Sequence, residues 1–452
     1  MSSNTGEPKK SISFFKKAYF NLVPFSRRYG KVFQNKYKFL MISSEWSTEK
    51  LLEYQNKEFI KLFNHCRKNV PYYRKLFSDY GLNNVNVASI EDIKRIPYLT
   101  KKIIMENSQD LIAENLNNYK KYHFSTSGST GERLSFFGLD SLYKIEAAFI
   151  LRAYKMSGGT LYNKPSVWIR RYVPKDSKLP LFYYDYELKR LYLSAYHLNQ
   201  DNVSLYVDKI NEYNYHTLST YPSTAYLFAQ LCSENELSLQ SIKNIHVASE
   251  PLLDEWRNKI FDTFRIYPVA HYGQVEKVSF MNQIYGSKSY FENLEYGITE
   301  YEVNNYGYYD LIGTGFNNYL MPFLRYKTED SVILKKPSVE KGNPDNVESI
   351  IGRSSDILIS SNNTKVPGVN FFNWVDNQLP GVGLFQIIQK INKDVDFNFV
   401  KTSDFTDDTI KDIRKGLISR LGNLNIRLHN KETIQRDRIT GKIKSIINES
   451  TN

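Results

Sequence analysis

Helix-like and strand-like segments alternate through the middle of the chain, and this constrains the fold more than any other feature. A helical pattern over 140–156 is followed by a strand at 166–172. A helix at 223–235, a strand at 245–248 and a helix at 253–264 continue the series. Strands separated by helix-length crossovers pair in parallel, because only a long connection returns the chain in the same direction. The expected class is α/β, with a substantial parallel sheet. Upstream, Leu52, Phe59, Phe63 and Cys66 fall near one helical face within 47–78, and Val70-Pro71-Tyr72-Tyr73 ends the first helix. A further helical stretch is expected over 90–114, interrupted at Pro97. The polar segment 335–346 carries two prolines and reads as a loop, and the residues beyond Gly352 read as a small unit of their own. The boundaries are a basic, aromatic N-terminal arm at 1–45, a large α/β domain at 46–352 and a small α+β domain at 353–452.

Charge separates the arm from the body. Of 60 Lys and Arg and 48 Asp and Glu, residues 1–44 hold nine bases and one acid. They supply +8 of the net +12, so the remaining body is close to neutral. Phe14, Phe15, Phe20, Leu22, Val23 and Phe25 are interleaved with those cations. Two readings stay open: peripheral contact with an anionic membrane, or an arm that packs its aromatics on the body and leaves its lysines in water. A nucleic-acid partner is not expected, since no recognition module follows. Two cysteines, Cys66 and Cys232, frame neither a disulfide scaffold nor a Cys-rich zinc site. No apolar run is long enough for a membrane span, and the N-terminus is no secretory signal, so a cytoplasmic protein is expected, peripheral to the membrane's inner face if the arm docks there.

The most informative motif is Ser125-Thr126-Ser127-Gly128-Ser129-Thr130-Gly131-Glu132-Arg133. It is neither a Walker A loop nor a dinucleotide fingerprint, for it lacks Gly-Lys-Ser/Thr and the G-x-G-x-x-G spacing. Two glycines among hydroxyl residues make a turn whose N–H and O–H groups can converge on phosphate oxygens. In chain order there follow Tyr221-Pro222-Ser223, Ala248-Ser249-Glu250-Pro251, His271-Tyr272-Gly273-Gln274-Val275-Glu276, Arg325-Tyr326-Lys327-Thr328-Glu329-Asp330, Gly352-Arg353-Ser354-Ser355-Asp356 and Arg438-Ile439-Thr440-Gly441-Lys442. Order and spacing resemble the adenylate-forming (AMP-binding) superfamily, in particular its phenylacetate–CoA ligase/CapK-like branch, over residues 46–450.

The resemblance implies an ATP-dependent ligase. A carboxylic acid attacks the α-phosphate of ATP, pyrophosphate leaves, and the acyl group of the resulting acyl-AMP passes to an amine or a thiol. It implies that Ser127, Gly128, Ser129, Thr130 and Gly131 hold the pyrophosphate end of ATP, and that Glu276 ligates Mg²⁺. Tyr272 lies against adenine within Tyr272-Gly273-Gln274, with Ser249, Glu250 and Pro251 as the opposite wall. Asp330 takes the ribose hydroxyls and Arg353 sits near ribose and phosphates. Asp356 is the hinge of the small domain, and Lys442 bridges the attacking carboxylate and the α-phosphate. Lys442, Thr130 and Glu276 form the catalytic set.

Three departures stand out. Val275 occupies a position often held by Thr or Ser, Glu329 replaces a frequent Gly, and no lysine follows the phosphate loop, where Arg133 is the available cation. Trp168, Arg170, Tyr221 and His271 are candidates for the acid pocket, and Arg170 with Arg171 could clamp a second acidic group. The branch is associated with capsule, O-antigen and other surface polysaccharides, so a glycan or nucleotide-sugar partner and amide formation with a sugar acid are expected. The alternatives are an acyl– or aryl–CoA ligase using coenzyme A, and a non-catalytic nucleotide-binding scaffold.

Overall fold

Helix α1 (Gly30–Ser43) opens the computed structural model, which describes residues 19, 29–82, 89–126, 134–158, 165–170, 180–304, 307–335, 346–353, 357–363, 365–437 and 442–449. Helix α2 (Thr48–Asn69) begins where the Ser47 hydroxyl accepts the Lys50 N–H. Glu49 in its first turn and Arg67 and Lys68 in its last carry the charges that the helix dipole favours. Its apolar face, Leu51, Phe59, Leu62, Phe63 and Cys66, is buried. Pro71 forces Val70 out of helical geometry, yet serves as the first residue of α3 (Pro71–Asp79), where no N–H is needed.

The expected helix over 90–114 is instead broken into short pieces. A 3₁₀ turn (Ile90–Arg95) carries a Ser89–Asp92 capping box, and a helix (Lys101–Glu106) is capped by Thr100. The cause is non-local. Leu99 donates to Arg325 O at 3.0 Å and accepts from Lys327 N at 2.9 Å, drawing the segment against a distant strand.

Strands β1 (Tyr122–Ser125) and β2 (Ser135–Gly138) pair antiparallel, and α4 (Ser141–Met156) follows. A twelve-stranded sheet then forms. Its members are β3 (Ser166–Arg170), β4 (Phe182–Asp185), β5 (Arg190–Ser194), β6 (Thr217–Thr220), β7 (Asn244–Ala248), β8 (Val269–Gly273), β9 (Phe280–Gln283), β10 (Tyr290–Glu292), β11 (Gly297–Val303), β12 (Tyr309–Gly315), β13 (Tyr326–Leu334) and β14 (Val347–Arg353). The run β5-β3-β6-β7-β8 is parallel, as the alternation requires. Helices α5 (Val203–Asn211), α6 (Pro222–Glu234) and α7 (Asp254–Phe264) make its crossovers. Beyond β8 the order β9-β10-β14-β13-β12-β11 is antiparallel.

The parallel strands have two unlike faces. Val167, Ile169, Leu218, Val247 and Ala270 pack with the crossover helices in the main apolar core. The other face carries Trp168, Ser219 and His246, side by side in register. Helix α4 covers it: the Tyr154 hydroxyl donates to Ser219 Oγ at 3.2 Å, and its ring lies 4.1 Å from that of His246.

The C-terminal residues form a short hairpin, β15 (Ile357–Ile359) with β16 (Lys365–Pro367), then α8 (Val369–Gln378), α9 (Asp407–Leu421) and a four-stranded sheet. That sheet has the order β19 (Ile426–Asn430), β18 (Val395–Lys401), β17 (Val382–Gln389), β20 (Ile446–Asn448). Gly416 of α9 is required where it stands, because a Cβ there would meet the Trp374 indole at 2.1 Å. Tyr226 of α6 and Trp256 of α7 join this core, and the Trp256 indole N–H donates to Gly383 O at 3.3 Å. Among the described residues no helix is long and apolar enough to cross a membrane.

Candidate active site

In an open α/β sheet ligands bind beyond the carboxyl ends of the parallel strands, where loops leave backbone groups unpaired. Here that rim gathers the sequence candidates. Arg170 ends β3, Tyr221 follows β6, Ser249-Glu250-Pro251 follow β7, and His271, Tyr272 and Gly273 end β8 with Gln274 next. Alternation along β8 points His271 to the polar face with His246, while Tyr272 packs against the apolar core.

Tyr272 and Asp330 meet across 58 residues of sequence. The Tyr272 hydroxyl donates to Asp330 Oδ2 at 2.6 Å and accepts from Gln274 Nε2 at 2.6 Å. Burial and the Asp330 charge push the phenol well above its ordinary value, so it remains a donor at neutral pH. Asp330 is aimed by a bulge in β13. Lys327 pairs with Ile312 but Ser331 pairs with Asp310, so Thr328-Glu329-Asp330 face Leu311 alone and the strand carries two extra residues. Glu329 adopts φ +64° there, the left-handed conformation that glycine accepts without strain. The departure from the frequent Gly therefore places a strained residue beside Asp330. Ser249 (φ +78°) and Lys277 (φ +62°) adopt left-handed conformations likewise. Arg353 lies opposite Asp330 in the β13–β14 register.

Glu276 is buried and accepts from the Tyr326 hydroxyl at 3.0 Å. A lone carboxylate is a donor set that would suit Mg²⁺, which keeps several oxygen ligands from substrate and water. Among the described residues no cluster of three or more His, Cys, Asp or Glu forms a protein-only metal cage. Val275 is exposed.

Glu250 joins the rim to the C-terminal unit. Its Oε2 accepts the Ser223 N–H at 3.0 Å, capping the first turn of α6, and its Oε1 accepts the Ile443 N–H at 3.3 Å. The half-buried Lys442 is thereby carried next to the Ser249-Glu250-Pro251 segment. Its carbonyl also accepts from Asp437 N at 2.8 Å, whereas Lys444 points to Asp437 with Nζ 3.8 Å from Oδ2. Pro251 approaches the end of β14, within 3.9 Å of where a Cβ on Gly352 would lie.

On the polar face His271 Nδ1 lies 3.2 Å from His246 Nδ1. Burial, then the nearby Arg170 and Lys277 charges, lower His271 to about 3. Burial with His271 and Arg170 lowers His246 as well. Both rings are therefore neutral at pH 7. One Nδ1 carries the shared proton and the other accepts it, which leaves the pair one Nε2–H donor and one Nε2 acceptor. Arg170 lies between the rings of Trp168 and Tyr221, at 5.4 and 4.5 Å.

Ser127, Gly128, Ser129, Thr130 and Gly131 of the phosphate loop, with Arg133, the hinge Asp356, Arg171 and Arg438–Gly441 lie outside the described residues. The loop's base is defined: Thr126 N donates to Leu134 O at 3.0 Å, and Leu134 N to Thr126 Oγ1 at 3.1 Å. His246, Ser219 and Tyr154 are site-face residues that the sequence reading missed. The histidine inside the otherwise apolar run 245–248 was the available signal, whereas Ser219 stands in a strand with two threonines and gives none.

Solved structures with this fold are adenylate-forming enzymes. 2-Hydroxyisobutyryl-CoA ligase in the postadenylation state, in complex with R3-HIB-AMP, superposes with a TM-score of 0.64 at 13% identity over 89% of both chains. The anthranilate CoA ligase AuaEII in complex with anthranoyl-AMP gives 0.50 at 13% identity, over 71% of this chain and 64% of that one. The fold is that of the adenylate-forming ligases. In sequence the chain is 29% identical over 329 residues to protein CapK of Staphylococcus aureus, covering 71% of this chain and 72% of that one. That likeness supports the CapK-like branch. No family model matches the chain.

Proposed function

We propose that this protein is an ATP-dependent, AMP-forming ligase that converts a carboxylic acid to acyl-AMP with release of pyrophosphate, then transfers the acyl group to an acceptor. The observation that carries the reading is the Glu250 carboxylate, which ties the α6 N-terminus and the segment after Lys442 to one point on the strand rim. A carboxylate attacking a phosphorus centre needs alignment and charge neutralisation. Lys442 would supply the positive charge between attacking oxygen and α-phosphate, Asp330 the ribose contact, Tyr272 the adenine wall and Glu276 the Mg²⁺ contact. The Ser127–Gly131 loop would hold the pyrophosphate.

For the acceptor we favour an amine, giving an amide of a sugar acid in surface polysaccharide synthesis. Support comes from the likeness to CapK and from the polar face around Arg170, His246 and His271. A thioester with coenzyme A is the second reading, supported by the two CoA ligases that share the fold. The basic residues of 1–44 support a peripheral contact with an anionic membrane. Pyrophosphate release with ATP, Mg²⁺ and a panel of sugar, amino and aryl acids tests the first step, and product mass with amine or coenzyme A tests the second. Release that requires the acid and is lost in Lys442→Ala supports the proposal. No release with any acid, or undiminished release from the variant, overturns it.

A further inference from the structure

Arg170 sits in surroundings that call for an anion. Aromatic rings flank its guanidinium, and among the described residues its one hydrogen bond is the 3.4 Å contact from Nη2 to Ser219 Oγ. Nε is buried without a partner, and among the described residues no carboxylate pairs with the group. The neighbouring cation, Arg190, has its guanidinium carbon 4.2 Å from the Trp168 ring centroid and donates to the hydroxyls of Tyr192 and Tyr29, at 3.5 and 3.3 Å. Asp185 stands opposite Arg190 in the strand register, and its carboxylate accepts the Leu188 N–H instead. Two arginines therefore share a half-buried polar face with neutral histidines and phenols. Withdrawing a cation from water is unfavourable unless a counter-charge arrives.

Geometry limits what that counter-charge can be. Rings on its flanks leave a guanidinium's N–H groups directed outward in its own plane, which matches the paired oxygens of a carboxylate or phosphate. Position limits it further. Arg170 occupies the rim of β3 on the face of His271, while Tyr272 and Asp330 occupy the nucleotide side of β8. The carboxyl group to be adenylated must lie at the junction, near Lys442.

We propose that the acid activated here carries a second anionic group, a carboxylate or a phosphate, and that Arg170 binds it. The inference rests on the proposed adenylation activity and narrows it to dianionic, hydrophilic acids. Arg170 is a specificity-determining residue, and the neutral His246–His271 pair offers a hydrogen bond to an adjacent hydroxyl without adding charge.

The test pairs acids of matched skeleton, succinate with butyrate and a uronic acid 1-phosphate with the free uronic acid. Each is followed by pyrophosphate release and by titration calorimetry on wild type, Arg170→Gln and Arg170→Lys. Wild type is expected to prefer the dianionic member of at least one pair, and which pair shows the preference separates the carboxylate source from the phosphate source. Arg170→Gln should cut the dianion-to-monoanion ratio of kcat/KM by about tenfold or more, with partial recovery in Arg170→Lys. Equal use of both members of each pair by wild type, or a ratio unchanged in Arg170→Gln, overturns the inference while leaving adenylation standing. Arg170-dependent dianion binding without pyrophosphate release overturns the adenylation reading and leaves the anion site. Absence of both binding and release overturns both.

Discussion

The hydroxyl of Tyr272 donates to the Asp330 carboxylate at 2.6 Å, so one hydrogen bond fixes both the residue proposed as the adenine wall and the one proposed as the ribose acceptor. A ribose contact made by an ionised acceptor contributes more than one made by a neutral group. Asp330→Ala is therefore expected to raise KM for ATP by about tenfold or more, and Tyr272→Phe by only a few fold, through a less well fixed Asp330. ATP titration of initial pyrophosphate release measures both. Equal effects of the two substitutions would assign Asp330 a purely structural role.

Glu329 illustrates how a motif departure becomes physical. A left-handed conformation costs a side-chain-bearing residue about 1–2 kcal/mol, which glycine avoids. Glu329→Gly is expected to stabilise the protein by about 1 kcal/mol if relief of strain outweighs the entropy glycine adds to the unfolded chain. Thermal unfolding reads the sign directly. A lower Tm would show that the Glu329 side chain contributes more than its backbone strain costs.

Glu250→Ala should release the segment around Lys442 while leaving the strand core intact. The Ile443 amide loses its acceptor and the first turn of α6 loses its cap. Amide exchange over 442–449 is expected to accelerate by about tenfold, and pyrophosphate release to fall with it. Unchanged exchange there would mean that the β17–β20 pairing and the Asp437 N–H on the Lys442 carbonyl hold the segment without Glu250.

Much of this site was legible because the chemistry sits on short motifs at the ends of a regular α/β alternation. The strands and helices of that alternation named from the sequence fall within one or two residues of their expectation, as with Asn244–Ala248 and Asp254–Phe264, while α5, β6 and β8 were not delimited there. The antiparallel half was not legible. Strands such as Tyr290–Glu292 are too short for a periodic signal, and the Leu99 bridge to Tyr326 spans over two hundred residues. Glu250 shows the same limit: Ser-Glu-Pro marks a position, but the partner at Ile443 is 193 residues away. His246 reads only as a strand residue until its contact with His271 is seen.

Glu292 gives a pH dependence of opposite sign to the usual carboxylate. Burial raises it to about 7, while hydrogen bonds from Tyr301 and Thr299 hold it back. The folded protein thus keeps a proton that the unfolded chain releases near pH 4 to 5. This group's contribution to stability is greatest below that range, declines as pH rises through about 7, and is level above. Glu292→Gln is expected to remove the decline, gaining up to about 3 kcal/mol over wild type at pH 8 relative to pH 4. Denaturant unfolding across pH 4–8 measures the difference in slope, and parallel curves for the two proteins would place Glu292 in its ionised form.

The N-terminal arm is best divided at residue 28. Phe33, Tyr37 and Leu40 of α1 are buried against α4, and the Ser43 hydroxyl donates to Glu295 at 2.6 Å. That carboxylate also pairs with the buried Arg152 at 2.5 Å. Removing 1–44 would expose the α4 face, costing about 2 kcal/mol for each lost apolar side chain, and take a partner from a buried ion pair. Removing 1–28 leaves those contacts in place and deletes Lys9, Lys10, Lys16, Lys17, Arg27 and Arg28. The longer deletion should lower Tm by more than the shorter. If the arm docks on membranes, the shorter deletion alone abolishes sedimentation with phosphatidylserine vesicles while acid-dependent pyrophosphate release persists. Vesicle binding retained after removal of 1–28 would rule out those cations as the membrane contact.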